Sequence, residues 1–225
     1  MSLNQSLLLV SAWLAYFALH SLLASRGCKG WVQRRLPELI TSYRLLFNIL
    51  ALVLLVPPIT LLYLWRGEPL WQWQGLGWWL MNGAALTALL LFVWSLRFYD
   101  SGEFLGLRQL GEQRSGIGDR EPLCISPLHR YVRHPWYSLG LVLIWTQPMD
   151  WALLLSAICA TFYFVIGSRW EEQKLIAQHG ESYRWYLQRV PGLIPLPWRR
   201  LSPEQANRLA AMAEETRPEG RVERG

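Results

Sequence analysis

The sequence predicts an all-α, polytopic integral membrane protein with about five transmembrane helices, the last two forming a C-terminal helical hairpin. Three observations carry this. Apolar residues make up 52% of the 225 positions, and mean hydropathy is positive despite a polar C-terminal end. Several stretches approach or exceed the ~20 apolar residues needed to cross a ~30 Å hydrocarbon core. Lys and Arg gather in alternate loops, with only Arg66 in the outer ones, which is the positive-inside pattern.

The first span covers residues 3–24, without the basic start or the cleavage signature of a signal peptide. A linker with Arg26, Lys29, Arg34 and Arg35 follows, and Trp31 and Leu36 place it at the membrane interface. The second span covers residues 43–65, where Pro57 and Pro58 remove two N–H donors and predict a kink. Trp65, Trp71, Trp73, Trp78 and Trp79 form an aromatic belt around a short outer loop before the third span, residues 76–98. Residues 99–133 are polar and Gly-containing, without strand or helix periodicity, and a loop of that length usually serves a site. Residues 135–147 form a fourth apolar helix of roughly 20 Å, short for a bilayer. After a turn at residues 148–150, with Asp150 as N-cap, a helix of about 45 Å runs from Trp151 to Gly180 and projects past the membrane. Beyond Trp198 the composition turns polar. Ser202-Pro203-Glu204-Gln205 is a capping box for a short helix to about residue 215, ahead of a disordered end. The chain therefore divides into a three-span region (1–98), a core with loop, hairpin and C-terminal segment (99–197) and a polar tail (198–225).

The net charge of +6 flanks apolar spans, so no nucleic-acid partner is expected. Three cysteines without Cys-x-x-Cys spacing and four histidines without a His-x-x-x-His pair predict neither a disulfide framework nor a metal site. No P-loop or Gly-x-Gly-x-x-Gly turn is present.

One stretch is chemically odd. Arg130, Arg133 and His134 gather where an apolar helix begins at Pro135. Proline suits the first helical position, and His134, as the residue before it, suits the N-cap. The free N–H groups there can receive a carboxylate or phosphate. Across the hairpin lies Arg169-Trp170-Glu171-Glu172. Arg169 and Glu172 are three apart, hence neighbours on one face, and Glu171 is turned away from them. Tyr137, Tyr183, Tyr186, Arg189 and Val190-Pro191 complete a group of charged and aromatic residues at one membrane edge.

Arg133-His134-Pro135-x-Tyr137, an apolar hairpin, Arg169-x-Glu171-Glu172 and Gly180-x-x-Tyr183-x-x-Tyr186-x-x-x-Val190-Pro191 resemble the isoprenylcysteine carboxyl methyltransferase and phospholipid methyltransferase family of membrane enzymes. The resemblance covers residues 123–197. More loosely, His20-Ser21-Leu22-Leu23-Ala24-Ser25 and Tyr43-Arg44-Leu45-Leu46-Phe47-Asn48 resemble its bacterial branch, with methanethiol S-methyltransferases and NnrU-like proteins. Ser126-Pro127-Leu128-His129 departs from the Gly-x-Tyr that often precedes the Arg-His-Pro run in the family, a place that the resemblance implies is the rim of its cofactor pocket.

The resemblance implies an S-adenosylmethionine-dependent methyltransferase acting on a small or lipophilic acceptor, a thiol or an isoprenylcysteine-type carboxylate. Phospholipid N-methylation and a non-catalytic NnrU-like accessory role are the alternatives. It implies cofactor contacts at His134 and Tyr137; the chemistry of such a cofactor and acceptor adds Glu171, Tyr183 and Tyr186 as cofactor contacts and Arg133, Arg169 and Glu172 as catalytic candidates. The tyrosines would wall the adenine or sulfonium, or else anchor the membrane interface. Arginine would orient an anionic acceptor or help ionise a thiol. Membrane lipids are the expected surroundings, with the C-terminus and active site in the cytosol of a bacterial inner membrane.

Overall fold

The computed structural model describes residues 1–100, 102, 105–107 and 125–215. Most of the predicted 99–133 loop and the predicted disordered end lie outside the described residues. Seven α-helices are seen among those described: α1 Leu3–Ala24, α2 Arg26–Arg35, α3 Tyr43–Leu64, α4 Gly75–Ser95, α5 Pro135–Trp145, α6 Trp151–Arg189 and α7 Pro203–Glu215. Four of them, α1, α3, α4 and α6, are long and apolar enough to cross a membrane. The fifth apolar helix, α5, has 11 residues, roughly 16 Å, and is short as expected. Together they make an all-α, polytopic integral membrane protein.

The element boundaries follow local chemistry. Ser2 caps α1 through a capping box with Gln5. Ser25 ends α1 and, by accepting from the Cys28 N–H, starts α2. α3 continues as one element through Pro57 and Pro58. Asp150 accepts from the Leu153 N–H at 2.9 Å and begins α6, as expected. α6 does not stop at Gly180 but turns there, with φ 55° and ψ −126°, a backbone state that glycine alone adopts without strain. Ser202 and Gln205 form the expected capping box of α7.

The chain forms two compact units. The first comprises Met1–Asp119 and Val142–Tyr163. There α1 packs on α3, and Leu9, Trp13, Phe17, Leu62 and Ala152 form the core. Trp13 Nε1 donates to Ser156 Oγ at 2.8 Å, so a polar pair sits inside that apolar core with its donor satisfied. The Trp-rich loop between α3 and α4 is tied down by Trp71 and Met149, which exchange backbone hydrogen bonds, and by Arg66 against the buried Asp150 at 2.7 Å.

The second unit comprises Arg120–Leu141 and Phe164–Gly225. Its core is Tyr183, Tyr186, Val190, Leu201, Ala206 and Leu209. The polar tail is thus not wholly a tail: the apolar face of α7 closes this core. Between Val190 and Leu201 the chain straps the segment before α5. Arg133 and His134 N–H donate to the Pro191 and Gly192 carbonyls at 2.9 and 3.1 Å, and Leu201 N–H donates to the Arg130 carbonyl.

Candidate functional site

The strap and the start of α5 place Arg133 and His134 side by side against α6. The Arg133 guanidinium grips Glu172 Oε1 through Nε at 2.8 Å and Nη2 at 2.7 Å. It also donates to the carbonyls of Leu187 and Val190. His134 Nε2 lies 3.0 Å from the same Glu172 oxygen, and Nδ1 lies 3.4 Å from Glu171 Oε2. Tyr137 Oη donates to Glu171 Oε2 at 3.3 Å. Side-chain exposure is 11% for Arg133, 4% for His134 and 14% for Glu172, so these charges are largely out of water.

Partly desolvated charges persist only when paired and hydrogen-bonded. Here each is. Burial works against protonation of His134, but the hydrogen bonds and charges of Glu171 and Glu172 outweigh it and raise its pKa above the ordinary value. An imidazolium donating from both nitrogens is the state this geometry stabilises. His129 is the opposite case. Burial, then the neighbouring His134 charge, lower its pKa to about 4, and it stays neutral. Its Nδ1 is 2.8 Å from Ser126 Oγ, and its backbone carbonyl accepts from Tyr186 Oη at 2.6 Å.

The rings of His134, Tyr137 and Phe164 form a stacked column, with centroids 5.5 and 5.0 Å apart and planes within 10°. On α6, Phe164 and Glu171 are seven residues apart and share a face. That is why Tyr137 can stack on one and bond to the other.

Five of the eight residues singled out in the sequence therefore meet: Arg133, His134, Tyr137, Glu171 and Glu172. Glu171 joins His134 instead of turning away. The other three play different parts, although Tyr183 lies near enough for the Glu172 charge to add to the rise that burial gives its pKa. Arg169 is exposed and makes no ion pair among the described residues; its expected partner Glu172 is held by Arg133 and His134. Tyr183 and Tyr186 are 1% exposed and packed edge to face in the core, under the face of α7, so they offer no ring to a ligand or to the membrane interface.

The sequence reading missed Phe164, Ser138 and Gly192. Ser138 Oγ donates to the Leu193 carbonyl at 2.5 Å, holding the strap. A Cβ on Gly192 would lie 3.4 Å from Arg133 Nη2 and crowd the guanidinium. The Pro191-Gly192 pair after the tyrosine series was the available signal for that close approach.

Known proteins resemble this chain over most of its length. Methanethiol S-methyltransferase 2 of Bradyrhizobium diazoefficiens is 32% identical over 203 residues, covering 86% of this chain and 75% of that protein. The methanethiol S-methyltransferase of Mycobacterium tuberculosis is 33% identical over 214 residues, covering 88% and 81%. Nurim of Sus scrofa is 31% identical over 196 residues, covering 76% and 70%. The chain belongs to this isoprenylcysteine carboxyl methyltransferase-like membrane family. No family model and no solved structure matches it. The members named as methyltransferases support a membrane methyltransferase. Within the family framework, the Arg133–Glu172 cluster is the charged centre that remains after Arg169, Tyr183 and Tyr186 are set aside.

Proposed function

We propose that this protein is an S-adenosylmethionine-dependent methyltransferase whose acceptor is a small thiol. The observation that carries the reading is the carboxylate pair Glu171–Glu172, fixed on His134 at the start of α5. The thiol preference draws on relatives named for methanethiol.

The residues fit such a cofactor. Among the described residues, the hydrogen bonds and ion pairs of Glu172 fall on Oε1, and those of Glu171 on Oε2. The other oxygen of each is open to an ammonium group or ribose hydroxyls. The N–H groups opening α5 suit a carboxylate, and the Tyr137 ring suits a cationic sulfur. Bound there, the cofactor supplies an electrophilic methyl group. Both His134 nitrogens are committed to carboxylates, so His134 acts by aiming Glu171 and Glu172, with Arg133 holding Glu172 from the other side. Methyl transfer between two sulfurs is an in-line displacement, so positioning and exclusion of water are the protein's main tasks. The basic loops support a site at the cytosolic face of a bacterial inner membrane.

The test is purified protein in detergent with methyl-labelled cofactor and three acceptors: a short alkanethiol, a prenylcysteine and phosphatidylethanolamine. Label in a volatile thioether is expected. Label in the prenylcysteine or lipid fraction would overturn the thiol assignment. No transfer to any acceptor, with no cofactor binding by calorimetry, would return the chain to the accessory role.

A further inference from the structure

The strap that holds Arg133 and His134 has a second side. Residues 190–202 form neither helix nor strand. One edge of the segment is bonded to the start of α5. There the Pro191 and Gly192 carbonyls accept from the Arg133 and His134 N–H groups, and the Leu193 carbonyl accepts from Ser138 Oγ. Away from that edge, Ile194 is 71% and Trp198 77% exposed. Arg200 is exposed beside them, and Arg199 Nη2 donates to the Gln188 carbonyl at 2.9 Å. The turn keeps its shape through two backbone bonds, from Arg199 N–H to the Leu196 carbonyl and from Leu201 N–H to the Arg130 carbonyl. From Arg184 to Arg200 the chain carries four arginines and neither Asp nor Glu.

We propose that the exposed side of the strap docks on the membrane surface and binds anionic lipid headgroups. Water is a poor solvent for Ile194 and Trp198. The hydrocarbon core is a poor one for irregular backbone and for arginines, which would lack hydrogen-bond partners there. The interfacial layer suits both. Indole rings settle at headgroup level, and arginines reach lipid phosphates through charge-assisted, often bidentate hydrogen bonds. The bonds within this unit put the strap at that level. Leu193 is tied to Ser138 in the first turn of α5, and from Leu139 to Trp145 that helix is wholly apolar. Pro195 and Pro197 fix φ on either side of Leu196, so the turn presents Ile194 and Trp198 with little backbone freedom left to lose. The partner is an anionic surface and not a neutral one, because no acidic residue offsets the arginines of this stretch. Each basic group beside such a surface strengthens the attraction roughly five-fold. The contact needs neither cofactor nor acceptor, so it stands apart from the methyltransferase reading.

The test uses the full chain in nanodiscs of phosphatidylcholine alone, and of the same lipid with a third phosphatidylglycerol. Cys28, Cys124 and Cys159 are replaced by serine, and a nitroxide is attached through Pro195→Cys, at an exposed position of the turn. Its collision rates with oxygen, which concentrates in lipid, and with a neutral water-soluble nickel chelate report its depth. In anionic discs the label should be shielded from the chelate and reached by oxygen, and high salt should reverse the shielding. Arg199→Gln with Arg200→Gln should lower the docked-to-undocked ratio about twenty- to thirty-fold in anionic discs. Arg200→Gln alone removes no ion pair among the described residues and should lower it about five-fold, which keeps the test decisive if the double variant folds poorly. Trp198→Ser should weaken docking without changing its salt dependence. A label equally open to the chelate in both discs would overturn the proposal, with the strap facing water. Equal shielding in neutral and anionic discs would overturn the anionic contact. Shielding from both reagents would overturn it too, and give this face to a second copy of the chain.

Discussion

Charge is handled in opposite ways in two polar clusters, one in each unit. In the second unit, Arg133, His134, Glu171 and Glu172 compensate one another, and the backbone carbonyls of Leu187 and Val190 accept further donors of Arg133. In the first unit, His20, Ser21 and Tyr163 are joined by neutral hydrogen bonds among apolar helices. The first arrangement suits an ionic ligand, because its carboxylates are charged and held in place. The second suits helix packing, because a full charge between apolar helices would lack a partner.

The comparison is broken most severely at Arg133. Truncating one partner of a desolvated ion pair leaves the other charge uncompensated, at a cost of about 3–5 kcal/mol. Arg133→Ala also orphans the carbonyls of Leu187 and Val190. A large drop in the detergent melting temperature is expected, together with loss of cofactor binding. Arg133→Lys should recover little, since an ammonium cannot hold Glu172 and two carbonyls through a planar fork. Near-wild-type melting of Arg133→Ala would mean that Glu172 is well solvated.

His134→Ala comes next. It removes the group that aims both carboxylates, and cofactor affinity should fall by about 1–3 kcal/mol, one to two decades, by calorimetry. Acceptor affinity should change less. The reverse pattern would mean that this cluster serves the acceptor and not the cofactor. The same residue gives a pH signature. Its pKa is raised on folding, so its stabilising contribution is complete below about pH 6.5 and is lost as pH rises through the folded value. His129 runs the other way: its folded pKa is about 4, so stability is lost as pH falls from about 6.5 towards that value. The melting advantage of wild type over His134→Asn should therefore shrink on the alkaline side. An advantage constant from pH 6 to about 9 would contradict the clamp between Glu171 and Glu172.

Much of this was legible in the sequence. Long apolar windows announce themselves, and the caps at Asp150 and Ser202 were readable because each satisfies orphan N–H groups within three residues. Antiparallel pairing across the hairpin brought Arg133 and Glu172 together on paper. Which cation takes Glu172 was not legible. Helical spacing assigned Arg169, three residues away, whereas the pairing goes to Arg133, 39 residues away, which burial and two backbone carbonyls hold in place. Tyr183 and Tyr186 misled for a related reason. Aromatic residues beside a charged edge read as ligand walls until α7, from a segment that looked like tail, covers them.

Arg169 is the mildest perturbation and sharpens the contrast with Arg133. Both are arginines within reach of Glu172 by sequence logic, one across the hairpin and one along the helix. Arg133 is 11% exposed with four bonded contacts, whereas Arg169 is exposed with no ion partner among the described residues. Had Arg169 oriented an anionic acceptor through its fork, Arg169→Lys would cut turnover ten- to a hundred-fold, the scale of a misplaced reactant. Exposed charges contribute about 0–1 kcal/mol, so Arg169→Lys should instead leave single-turnover rate, cofactor affinity and melting temperature near wild type. A loss of ten-fold or more at saturating cofactor would restore Arg169 to the active centre. It would also mean that α6 presents its Arg169 face to the acceptor.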